Sequence, residues 1–146
     1  MNDFLKIFYL LNALEFYYKS EHWTIEGDDF YSRHLFFDRL GEGINKEKDE
    51  LAELLIGLKF ILGFSKQDFS AKKILEESVK ILKSIPDFFS FKEACEIAEN
   101  LEAQLLQIIK SIPQNTTDIG LYNHFAAIAQ NHNKKAYLLN QTLLGN

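Results

Sequence analysis

Apolar residues recur three and four positions apart along most of the chain, the spacing of helices that each bury one face. Phe4, Phe8, Leu11, Leu14 and Tyr18 mark a first helix. Gly27 offers it a C-terminal stop, and Asp28 or Asp29 can cap the next helix. That second helix reads as one piece from about Phe30 to Leu62. Its stripe is Phe37, Leu40, Ile44, Leu51, Leu55, Leu58 and Leu62, and Gly63 ends it. A connector follows, with a short helix around Ala71 to Leu82 that stops before Pro86. Ser90, with Glu93 three residues on, fits a capping box at the start of the third helix. Ala94, Ala98, Leu101, Leu105 and Ile108 form its buried face, and Pro113 with the polar run Gln114 to Thr117 closes it. Asp118 opens the fourth helix, which carries Phe125, Ile128, Leu139 and Leu143. No repeat, low-complexity tract or linker divides the chain, so residues 1–146 read as a single domain. Four helices with one long crossover predict an all-α, ferritin-like four-helix bundle with a short helix between the second and third.

Composition agrees with that reading. The 146 residues are 47% hydrophobic and 25% charged, which suits a packed domain. Two prolines and seven glycines leave few breakers, and valine, a strand former, occurs once, at Val79. The formal charge of −5 and termini without basic runs disfavour a DNA partner. Cys95 is the sole cysteine, so no internal disulfide can form, and it falls on the apolar face of the third helix as an inert core thiol. Asn12 and Glu15 interrupt the first apolar run, which argues for a core helix over a signal peptide. No run reaches the roughly 18 apolar residues a membrane span needs.

Five residues add chemistry: His22, His34, Asp38, Asp49 and Glu53. Imidazole and carboxylate together suit iron. His34 and Asp38 lie four apart, as do Asp49 and Glu53, so each pair shares a helix face. The pairs are eleven apart, close to three turns, and would share one stripe of a continuous helix. Asp38 and Asp49 would then sit about 16 Å apart along the axis, too far for one ion held at about 2 Å. An antiparallel crossing of two copies about a twofold axis near Gly43 and Ile44 removes the conflict. His34 then faces Glu53 of a second copy, and Asp38 faces Asp49. Close approach of the backbones there explains Gly41 and Gly43, and a break at Gly41-Glu42-Gly43 is the competing expectation. A turn near Gly27 and Asp28 lays residue 22 beside residue 34. Each of two equivalent sites would thus draw His22, His34 and Asp38 from one chain and Asp49 and Glu53 from its mate.

At these residues the chain resembles the Dps family of mini-ferritins. His22-Trp23, Gly27, Phe30, His34 and Asp38 are similar to that family's H-W-x-x-x-G-x-x-F, then H, then D. Asp49-Glu50-Leu51-Ala52-Glu53 is similar to its D-E-x-A-E, and His132 to Leu139 to its closing H-x-K-x-x-W-x-L, with Tyr137 in place of tryptophan. The resemblance implies a cytoplasmic cage of twelve subunits built from twofold dimers. Such a cage oxidises Fe(II), with hydrogen peroxide preferred over oxygen, and stores the ferric product, protecting against oxidative damage. It implies that the same five residues bind the iron and that Trp23 transfers an electron, an interface aromatic being the alternative. Two departures stand out. No lysine-rich tail for DNA is present, and the stretch before the last helix is neutral save Asp118, where the family has acidic pores.

The rival readings are an intrachain di-iron enzyme and a non-catalytic metal-binding or DNA-protecting helical oligomer. The first needs Glu-x-x-His. Lys19, Tyr31, Leu121 and Ala129 stand three before the four histidines, which excludes it. His124 and His132 read as structural.

Overall fold

The computed structural model describes residues 2–114 and 118–145, and no strand occurs among them. The first helix, α1 (Asp3–Thr24), starts where the Asn2 side chain accepts the Phe4 N–H. The sequence stripe is too narrow for it. Leu5, Ile7, Tyr9, Leu10, Ala13 and Tyr17 are buried along with Phe8, Leu11, Leu14 and Tyr18. A helix apolar all round belongs in a core, and α1 packs against four of the helices that follow.

The expected continuous second helix is a correction. It is divided into α2 (Phe30–Gly41), α3 (Ile44–Gly57) and a single turn, α4 (Lys59–Leu62). Glu42 is extended (φ −61°, ψ 134°), and Gly43 has φ +82°, a conformation that glycine adopts without a Cβ clash. The apolar stripe hid this break because it keeps phase across it: Leu40 and Ile44 are both fully buried. Lys135 from the last helix donates from Nζ to the Glu42 carbonyl at 2.8 Å, satisfying an acceptor that the break releases. Asp29 occupies the N-cap position of α2 in a left-handed conformation but makes no side-chain cap bond.

A 3₁₀ turn (Lys66–Phe69) with a Ser65–Asp68 capping box leads into α5 (Ala71–Lys83), the short helix of the crossover, which lies against α1. Next comes α6 (Phe91–Lys110), where Ser90 Oγ accepts the Glu93 N–H. The Glu93 carboxylate takes the Ser90 hydroxyl at 3.0 Å, which differs from the reciprocal main-chain bond of a capping box. The last helix, α7 (Ile119–Leu144), begins at Asp118, whose carboxylate accepts from Gly120 and Leu121. Residues 115–117 of the expected neutral stretch lie outside the described residues. With α6 on α7, α1 on α2, α3 and α6, and α3 on α7, the helices form a bundle with one crossover, the expected ferritin-like architecture. No described helix is long and apolar enough to cross a membrane. Cys95 is fully buried, and burial pushes its thiol up to about 12, as expected of an inert core thiol.

Candidate metal centre

The hairpin between α1 and α2 brings His22 and His34 together. Their rings stack with centroids 3.7 Å apart and planes at 20°, and Phe30 stacks on the outer face of His34. Each ring reaches the other's main chain. His22 Nδ1 lies 2.8 Å from the His34 carbonyl, and His34 Nδ1 lies 2.6 Å from the His22 carbonyl. A carbonyl only accepts, so both Nδ1 atoms carry the proton. When the rings are neutral, both Nε2 atoms carry a lone pair for a metal. This is how a backbone acceptor orients a ligating imidazole and sets its tautomer.

Asp38 sits one turn beyond His34, exposed, and shares a depression of about 260 Å³ with His22, Tyr18 and the Gly41–Gly43 break. Asp49 and Glu53 are exposed one turn apart on α3 and do not line it. Among the described residues, no three His, Cys, Asp or Glu side chains of one chain converge closely enough to hold a metal ion. The donors present within one chain are therefore two oriented imidazoles and a nearby carboxylate, with a second carboxylate pair apart from them. Trp23, next to His22, is 67% exposed.

The chain has a counterpart among solved structures. It matches the X-ray structure of Dps from Thermosynechococcus elongatus with a TM-score of 0.76, over 97% of this chain and 88% of that one. The fold is that of Dps. Sequence identity to that structure is only 20%. No family model matches the chain, and no curated protein matches it in sequence. Within the Dps fold, the stacked histidine pair belongs to the first hairpin and the Asp49–Glu53 pair to the helix after the break.

A second polar cluster lies inside the bundle, and the spacing argument missed most of it. His132 on α7 is fully buried, with Nδ1 2.5 Å from Glu102 Oε2 and Nε2 2.9 Å from Glu47 Oε1. Glu102, on α6, is also fully buried, and its other oxygen accepts the Tyr18 hydroxyl at 2.6 Å. Among the described residues, Glu47 Oε2 is buried with no hydrogen-bond partner. Burial alone would lower the His132 pKa. The hydrogen bonds and charges of Glu102 and Glu47 outweigh it and raise the value above that of an ordinary histidine. His124 points Nε2 at the Glu47 carbonyl, 3.0 Å away. The signal for this cluster was an acid on an apolar stripe. Glu47 falls between Ile44 and Leu51, and Glu102 is four after Ala98 and three before Leu105.

Proposed function

We propose that the protein is a Dps-like mini-ferritin. It oxidises Fe(II) to Fe(III), with hydrogen peroxide as the favoured oxidant and oxygen as the other, at sites shared between two subunits. It holds the ferric product within a hollow homo-oligomer of twelve subunits in the cytoplasm, and so protects against iron-driven oxidative damage. The observation that carries this reading is the reciprocal His22–His34 pairing, which frees two imidazole nitrogens at the surface of a chain with the Dps fold.

In this reading His22, His34 and Asp38 of one protomer meet Asp49 and Glu53 of its partner. A bend at Glu42–Gly43 is compatible with it, because the bend sits at the midpoint between the two pairs. The α2 helix of one protomer then still runs against α3 of the other. Carboxylate ligands stabilise Fe(III) and so favour electron loss, and two ferrous ions together supply both electrons that peroxide needs. Trp23, exposed beside His22, is placed to serve either as an electron relay or as part of the subunit contact.

The test is to add ferrous iron and peroxide to the native particle, follow ferric absorbance, and size the particle. Rapid ferric formation in an assembly near twelve chains supports the reading. A monomer that binds iron without turnover would instead favour the non-catalytic alternative.

A further inference from the structure

A depression of about 570 Å³ lies where the end of α1 meets the start of α6, and none of His22, His34 and Asp38 lines it. Its walls carry charges that have not paired. Glu21, in the last turn of α1, is only 8% exposed, yet among the described residues no hydrogen bond or ion pair reaches its carboxylate. A carboxylate taken from water without a partner is costly, and this one borders open space. Arg33 of α2 and Lys92 in the first turn of α6 line the same depression, and neither forms an ion pair among the described residues. The Arg33 guanidinium lies instead over the Phe91 ring, 4.5 Å from its centroid. The helix ends repeat this polarity. The C-terminus of α1 leaves carbonyls with partial negative charge, and the N-terminus of α6 leaves N–H groups with partial positive charge. Ser90 Oγ takes only the Glu93 N–H, so those of Phe91 and Lys92 have no helical acceptor. The Glu93 carboxylate is occupied by the Ser90 hydroxyl and the Phe89 N–H and lines a different depression.

We infer that this depression binds a zwitterion of the α-amino acid class. The ammonium pairs with Glu21 at the negative end, and the carboxylate pairs with Arg33 and the first turn of α6. An apolar side chain rests against Ile25 and Phe88, both of which line the depression. Two acids, Glu21 and Glu26, and two bases, Arg33 and Lys92, share its wall. A ligand with one sign of charge therefore loses at one end what it gains at the other. A zwitterion gains at both ends, and charge-assisted hydrogen bonds are the strong ones. Glu21 then acquires the partner that the chain itself does not supply. The inference uses none of the five candidate iron ligands and stands apart from the ferroxidase reading.

The experiment is equilibrium dialysis of the assembled protein against radiolabelled L-leucine. Saturable uptake approaching one leucine per chain is expected. Isocaproate lacks the ammonium and isoamylamine lacks the carboxylate, and each should compete at least about tenfold more weakly than leucine, the worth of one charge-assisted hydrogen bond. Glu21→Gln keeps the shape of the side chain and should weaken leucine binding at least about tenfold, as should Arg33→Gln. Glu96→Gln, in the neighbouring depression, should leave it unchanged. The competition arm uses the wild type alone, so it decides the matter even if a variant fails to fold. Absence of saturable uptake overturns the inference, as does equal competition by either analogue or an unchanged affinity in folded Glu21→Gln.

Discussion

The two clusters of titratable residues differ in almost every respect. At the edge of the bundle, His22, His34, Asp38, Asp49 and Glu53 are exposed or half-buried. Their imidazoles are bound through Nδ1 to carbonyls, and no metal-binding group closes within one chain among the described residues. In the interior, Tyr18, Glu102, His132 and Glu47 are buried and bonded to one another across α1, α6, α7 and α3. Buried charge is tolerated only when partners answer it. Water can solvate exposed carboxylates without cost to the fold. The edge can thus stay open to solvent, whereas the interior must find its partners as the chain folds.

Removing members of each cluster should separate their roles. Asp38→Ala or Glu53→Ala should lower the initial rate of ferric formation by at least about 100-fold, since even groups behind the ligands are worth 10–100-fold. The unfolding midpoint should barely move. An unchanged rate would remove either residue from the site. His132→Leu should do the reverse in kind. It leaves Glu102 and Glu47 buried without the imidazolium, at a cost of about 3–5 kcal/mol in denaturant unfolding.

The same histidine makes stability depend on pH. Its folded pKa is raised, so its contribution is complete below the unfolded value of about 6.5 and is lost as pH rises through the folded pKa. The thermal midpoint should fall across that window in the wild type and stay flatter in His132→Gln. The smallest effect belongs to the hinge. Gly43→Ala meets no atom within 4 Å but forces alanine to φ +82°, a strain of about 1–2 kcal/mol read by the unfolding midpoint.

Much of this architecture was legible in the residues. Ser90 and Asp118 cap α6 and α7, and Gly63 ends α4. The count from residue 28 put His22 beside His34, and their rings are in contact. The break at Glu42–Gly43 stood only as the competing expectation, because Leu40 and Ile44 keep the helical phase and a glycine is tolerated within a helix as well as at its end. The reciprocal carbonyl bonds of the histidines were also out of reach, since they depend on the turn at Gly27 (φ +92°) and left-handed Asp29. The interior cluster had a signal in Glu47 and Glu102 on apolar stripes, but spacing within single helices cannot say which acids from different helices will meet.

Co-assembly of two inactive variants tests the shared site most directly. Unfolding and reassembling an equal mixture of Asp38→Ala and Glu53→Ala chains pairs them at random. Each mixed dimer then has one site lacking both residues and one intact site. If protomers share the site as proposed, ferric formation returns to about a quarter of the wild-type rate. If the mixture stays as inactive as either parent while mixed particles form, the five residues do not work across a subunit boundary, and the account fails.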